Sequence, residues 1–219
     1  MTSSSSQVVR FLQQENARLS GDNEILREEI SALRGYAEAL KELYWATKQI
    51  TTEENLMSLL HQILDNAMGV LKADGGSLAL LDTETDELVF VVVHGDLGKK
   101  LLGYRIKGEE GIAGWVASNR EPLIVNNPRQ DNRFFSKVDE TFNFFTRSIL
   151  CVPLITRSKL VGVIQLLNKR DNEDFDDTDV ILLSILSHVA ATALEEMRLG
   201  LEAEDIALAQ SAKALEVPA

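Results

Sequence analysis

The sequence predicts an α+β domain on a central antiparallel sheet, preceded by a long coiled-coil helix. Three observations carry this prediction. Leucines recur every seven residues near the amino terminus, paired apolar runs with short polar turns occupy the middle, and apolar residues at helical spacing flank those runs on both sides.

The heptad repeat comes first. Leu12, Leu19, Leu26, Leu33 and Leu40 hold one register, and Val9, Asn16, Asn23, Ile30, Ala37 and Tyr44 hold the other. Leucine at d with asparagine at two a positions suits a parallel dimer, because a buried Asn pairs with its twin and penalises other registers. In such a pair Asp22 faces Arg27 and Glu29 faces Arg34 of the partner, both attractive. The alternative is an amphipathic helix folded back on its own domain. Gly21 and Gly35 weaken the helix but fall at the exposed f position.

A second helix is expected from the capping box of Thr51 and Glu54, with Leu56, Leu59, Leu60, Ile63, Leu64, Ala67 and Leu71 forming its core face. After "KADGG", Ser77 to Leu81 and Leu88 to His94 read as a hairpin turning at "DTETDE". An extended piece from Leu101 to Lys107 leads to Gly108, Gly111 and Gly114, which suggest a turn and then a short helix ending before Pro122. "PLIVNNP" is short and extended, and "RQDNRFFSKVDETFNFF" reads as irregular helix and loop. Two apolar strands follow, Ser148 to Thr156 and Leu160 to Asn168, and then a helix from about Asp176. "SILCVPLI" is apolar at almost every position, so both sheet faces should be covered. The terminal helices cover one face, and the loops from 108 to 145 roof the other, where a cavity is expected. The expected division is a disordered start at 1–7, a dimerisation helix at 8–50, the globular domain at 51–199 and a short helical or disordered tail at 200–219.

The composition narrows the class. With 219 residues, 45% hydrophobic and 26% charged, the chain suits one globular domain with extensions. A net charge of −12 opposes general nucleic-acid or anionic-membrane binding. Cys151 is the single cysteine, so no intrachain disulfide or cysteine-cluster metal site is expected. The start "MTSSSSQVVRFLQQ" lacks a signal-peptide pattern, and no run approaches the ~18 apolar residues of a membrane span. A cytoplasmic protein without membrane or nucleic-acid partners is expected.

Over residues 51–198 the chain resembles the GAF family of small-molecule sensor domains. The resemblance is carried, in order, by "GEEGIAGWVASNREPLIV", "DNRFF", "TRSILCVPL", "LVGVIQLLNK" and "FDDTD". It implies an antiparallel sheet with the first and last helices on one face, a ligand pocket under the loops on the other, and dimerisation through the terminal helices. The pocket lining it implies is Ser77, His94, Ile112, Ala113, Asp131, Phe134, Phe142 and Thr146. His94 stands where cyclic-GMP-binding relatives tend to present an Asp, and Phe142 where they often have a small hydroxyl residue. The roof phenylalanines either stack on a planar ligand or simply fill the space.

Six acids crowd the nine residues from Asp171 to Asp179. The GAF domains of cyclic-nucleotide phosphodiesterases carry an Asn-Lys, a later Phe and an Asp-Glu; Asn168, Lys169, Phe175 and Asp179 fit, whereas Val180 replaces the Glu. Lys169 at a strand end and Asp179 in the first helical turn should form an exposed ion pair worth ~0–1 kcal/mol, with Asp176 as N-cap. An EF-hand fails on spacing, because Phe175 occupies a ligand position, no Gly follows and Leu182 would be the twelfth residue. No metal site and no certain cofactor are expected, only a small-molecule ligand of unknown identity.

These readings point to a non-catalytic homodimeric sensor. It signals through its coiled coil to a separate protein, since no output domain is read after residue 199. A ligand-free adaptor dimer is the alternative. An enzyme comes third, with only His94 and Asp131 as candidate catalytic groups.

Overall fold

The computed structural model describes residues 10, 12–27, 30, 37, 41, 53–95, 101–157 and 159–215. The chain divides into Met1–Glu42 and Leu43–Ala219. In the first unit residues 12–27 are helical. Leu12, Leu19 and Leu26 of the repeat are exposed together with Ile30, and Ile25 is exposed off the a/d seam. Asp22 is engaged within its own helix by Arg18 Nη1 at 3.3 Å, and Asn23 Nδ2 donates to the Leu19 carbonyl at 3.1 Å. Leu33, Arg34, Leu40 and the Thr51 cap lie outside the described residues.

The second unit contains α1 (Glu53–Val70), β1 (Ala73–Asp82), β2 (Glu87–His94), β3 (Arg105–Lys107), α2 (Gly111–Asn119) and β4 (Leu123–Val125). A 3-10 turn (Pro128–Gln130), α3 (Lys137–Phe142), β5 (Ile149–Thr156), β6 (Lys159–Lys169), a second 3-10 turn (Arg170–Asn172) and α4 (Asp177–Leu215) complete it. The six strands form one sheet in the order β3-β2-β1-β6-β5-β4, with every neighbouring pair antiparallel. Only residues 105–107 of the extended piece expected over 101–107 are strand; Leu101 is helical and packs into the core. β1 starts four residues earlier than expected, because Gly75 and Gly76 pair directly with Leu167 and Leu166 of β6. A Cβ on Gly76 would stand 2.9 Å from Leu64 Cδ1, so a bare backbone at this point lets α1 lie close to the sheet.

Both faces are buried. α1 packs on β1 and β2, α4 packs on β5, and the two helices pack on each other. Leu60, Ile63 and Leu64 of α1 and Leu183 of α4 lose all contact with water, each contributing about 1.5–3 kcal/mol of transfer free energy. On the opposite face Phe90, Ile149, Cys151, Val163 and Leu167 of the strands join Ile112, Ala113 and Val116 of α2 in a second cluster.

Two β-bulges interrupt the alternation of side chains. Leu78 pairs with Val92 and Ala79 with Phe90, which leaves Val91 as an extra residue. Phe90 therefore belongs to the roof-side cluster while Val92 and His94 turn toward α1. There His94 Nε2 meets His61 Nδ1 at 2.7 Å, and His94 Nδ1 meets the Asp65 carboxylate. The second bulge lies in β6, where Leu154 pairs with Gly162 and Ile155 with Leu160.

α4 runs unbroken for 39 residues to Leu215, so residues 200–215 of the tail expected to be short helix or disorder continue this helix. Gly200 costs a helix interior only about 1 kcal/mol relative to Ala, too little to end it. By length and a mean hydropathy of 1.5 the stretch Asp177–Arg198 could also cross a membrane, contrary to the expectation that no segment would qualify. Its apolar content has a place in the domain, since Leu183, Leu186, Ala190, Ala191 and Ala193 are buried.

Gly162 offers a sharp test of the sheet. A Cβ there would lie 2.1 Å from the Ala79 carbonyl oxygen, whereas nothing lies within 4 Å of one at Gly69. Gly162→Ala is expected to lower the urea unfolding free energy by about 1–3 kcal/mol, and Gly69→Ala to leave it unchanged or slightly raised. Equal effects at the two positions would mean that β1 and β6 are not packed as described.

Candidate functional site

A cavity of about 70 Å³ lies between the sheet and its roof. Phe90, Ile149, Gln165 and Leu167 of the strands line it, as do Glu110 and the start of α2 at Gly111, Ile112 and Ala113. Phe134, Phe135, Val138, Asp139 and Thr146 complete it from the roof. Ligand pockets commonly measure ~300–1,000 Å³, so this space is small and its lining is mostly apolar.

Four of the eight expected ligand residues, Ile112, Ala113, Phe134 and Thr146, meet at this cavity; the other four lie apart from it. Ser77 stands behind Gln165, whose Nε2 donates to its hydroxyl at 2.9 Å. His94 is drawn to α1 by the Val91 bulge, and with Ser77 it borders a separate crevice of about 10 Å³. Asp131 is held by Arg133, with Nε at 2.9 Å from Oδ1 and Nη2 at 2.6 Å from Oδ2. That guanidinium holds the Asp131 carboxyl below its ordinary pKa and lies 4.8 Å over the Trp115 ring. Phe142 packs edge-on against Tyr104 with ring centroids 5.5 Å apart.

The roof hangs on a carboxylate that sequence reasoning missed. Asp139 is buried on α3; its Oδ1 accepts from Thr146 Oγ1 at 2.6 Å, and its Oδ2 accepts from Thr146 N at 2.9 Å and Arg129 Nη2 at 3.1 Å. The 3-10 turn, α3 and the entry to β5 are thus joined at one group. Glu110 and Gln165 were also missed. Strand alternation could have found Gln165, since Val163 and Leu167 on either side of it belong to the roof-side cluster. Nothing in the sequence marks Asp139 among so many acids.

The acidic stretch is a clasp beside this site. Lys169 Nζ lies 2.5 Å from Asp179 Oδ2, and the two side chains are only 10% and 9% exposed. The expectation of an exposed pair is therefore corrected: Phe175 covers it, its ring centroid 5.8 Å from Nζ. Asp176 Oδ1 accepts from the Thr178 and Asp179 N–H groups at 2.8 and 3.0 Å, and Asp179 Oδ2 accepts in return from Asp176 N at 3.0 Å, a capping box. The Asp179 N–H bond holds the Asp176 carboxyl below its ordinary range. Asn168 adds a second tie. Its Oδ1 accepts from Arg147 N at 2.7 Å and its Nδ2 donates to the Phe145 carbonyl at 3.0 Å.

The GAF domain family model matches residues 55–194. The chain belongs to the GAF family. GAF domains are small-molecule sensor modules of regulatory proteins. The chain is 33% identical over 125 residues to the probable 3′,5′-cyclic phosphodiesterase pde-5 of Caenorhabditis elegans, an alignment covering 52% of this chain and 17% of that protein. It is 29% identical over 151 residues to the dual 3′,5′-cyclic-AMP and -GMP phosphodiesterase 11 of Drosophila melanogaster, covering 63% of this chain and 10% of that one. The chain thus spans less than a fifth of these curated relatives. Among solved structures, the GAF domain of a phosphoenolpyruvate-protein phosphotransferase from Coxiella burnetii superposes with a TM-score of 0.66 at 19% identity, covering 75% of this chain and 95% of that one. Free methionine-R-sulfoxide reductase from Neisseria meningitidis gives 0.62 at 21% identity, covering 75% and 90% respectively. At such identities the likeness establishes the fold.

Two further groups bear on the chemistry of this GAF domain. Cys151 is buried in the roof-side cluster, and burial pushes its thiol well above the ordinary range, which suits packing and not nucleophilic attack. Among the described residues no group of three or more His, Cys, Asp and Glu is placed to hold a metal ion.

Both carboxylate centres can be tested. Lys169→Met strands the Asp179 carboxylate and is expected to cost about 3–5 kcal/mol in chemical denaturation. Adding Asp179→Leu should recover part of that loss, but not all, because the cap goes with it. Asp139→Asn sets an amide N–H against groups that are themselves donors. We expect a loss of about 1–3 kcal/mol and faster amide exchange over residues 137–146, with the α1 core unchanged; slow exchange retained there would show that Asp139 does not hold the roof.

Proposed function

We propose that this GAF protein is a homodimeric small-molecule sensor whose ligand enters the roofed cavity and alters how the terminal helices pair. The observation that carries the reading is the cavity itself, set between the sheet and a roof that Asp139 holds by three hydrogen bonds. A ligand that binds the closed roof better than the open one stabilises the closed state by its difference in affinity. Coupling of this kind is typically worth ~1–3 kcal/mol, enough to change partner binding without remodelling the fold. The exposed leucines Leu12, Leu19 and Leu26 support a parallel seam with a second copy, through which the signal passes to a separate protein. The GAF-bearing phosphodiesterases that the chain resembles act on cyclic AMP and cyclic GMP, which makes a nucleotide or another planar metabolite a natural first candidate.

A second reading is a ligand-free adaptor dimer. The small volume of the cavity favours it, because the roof phenylalanines already fill much of the space. Native mass spectrometry of gently purified protein separates the two readings. A dimer carrying a retained small molecule is expected for the sensor, whereas an empty dimer unmoved by a metabolite panel would favour the adaptor. Leu26→Pro should convert the dimer to monomer in light scattering; an unchanged mass would refute the seam.

A further inference from the structure

The polar groups at the cavity are biased toward one kind of ligand. Its two titratable lining residues, Glu110 and Asp139, are both acids, and no Lys, Arg or His lines it among the described residues. Asp139 is saturated by Thr146 and Arg129. Glu110 is half-buried at the cavity wall, and its carboxylate has no partner among the described residues. Gln165 spends its amide nitrogen on Ser77, which leaves its carbonyl oxygen as an acceptor. The nearby roof cations are already committed: Arg133 to Asp131 and the Trp115 face, Arg129 to Asp139 and the Phe145 face. An incoming phosphate would meet an unpaired carboxylate and no free cation among these groups, whereas an N–H donor would find acceptors that lack one.

We propose that the ligand is a compact nitrogenous molecule without net negative charge, its apolar body between Ile112 and Phe134 and its N–H groups donated to Glu110. This rests on the sensor reading above and sharpens it. Size agrees with charge, because a cavity of about 70 Å³ admits a small ring or short chain and not a cyclic nucleotide without displacement of the roof. A half-buried carboxylate attracts a protonated amine strongly, since hydrogen bonds to charged groups gain most where water is excluded.

The test is a binding panel on the full chain by calorimetry and thermal shift. One arm holds cyclic AMP and cyclic GMP; the other holds tyramine, histamine and adenine. At least one member of the second arm is expected to bind, with neither cyclic nucleotide as tight. Glu110→Gln, nearly isosteric and at a site without partners, should keep the unliganded Tm and weaken binding of a protonated amine about tenfold or more. A cyclic nucleotide that binds more tightly than every amine, or an amine affinity unmoved by Glu110→Gln, overturns the inference and leaves the sensor reading standing. If neither arm binds and the purified protein carries no small molecule in native mass spectrometry, the sensor reading falls as well.

Discussion

At the end of β6 the ammonium of Lys169 is withdrawn from water with a single carboxylate beside it, and much of the domain is arranged so that this can happen. Asp179 has to be in the first turn of α4, and Asp176 has to cap that turn, for the carboxylate to face the strand end. Strand, turn and helix therefore share one group. Breaking such a pair costs more than forming it gains, because the survivor is left as an uncompensated buried charge. The position of α4 on β5 follows from a constraint of register as much as from apolar contact. Asn126 extends the arrangement across the sheet edge, its Oδ1 accepting from Phe175 N and its Nδ2 donating to Phe175 O, both at 3.0 Å.

The roof answers to a different group. Asp139 collects three donors in a region with little regular structure, which is how short, irregular chain can close over an apolar sheet without leaving its own polar atoms unpaired. The two carboxylates are connected through β5 and β6. Thr146 and Ser148 lead into β5, and Ser148 Oγ accepts from Lys169 N at 3.1 Å. A change in the roof is only a few residues of chain away from the clasp.

Most of the fold was legible in the residues. The continuous apolar character of "SILCVPLI" announced a sheet buried on both sides, helical spacing announced α1 and α4, and the Asp176 cap fell where the acids predicted it. What escaped had physical causes. A bulge at Val91 leaves no mark in a run of three valines, yet it reverses the facing of His94 and takes it out of the cavity. The clasp reads as solvent-exposed because it lies among six acids; its burial comes from Phe175 folding over it, a matter of tertiary packing. Of the expected lining, Ile112 and Ala113 stand at the cavity, where motif and helix start coincide. Asp131 is held instead by a neighbour two residues away, Arg133, a local pairing that the spacing did not announce. Glu110 carries no signal in the sequence that sets it apart from its neighbour Glu109; its place at the cavity wall follows from the packing of the roof.

One consequence of the length of α4 reaches past the domain. With a rise of about 1.5 Å per residue, the part of the helix beyond Arg198 is roughly 25 Å long. A rod of this length works as a pointer: a tilt of about 5° at the Asp176 cap would carry its tip, about 58 Å away, sideways by roughly 5 Å. Displacements too small to disturb the sheet would thus be enlarged at the far end, where another molecule could read them.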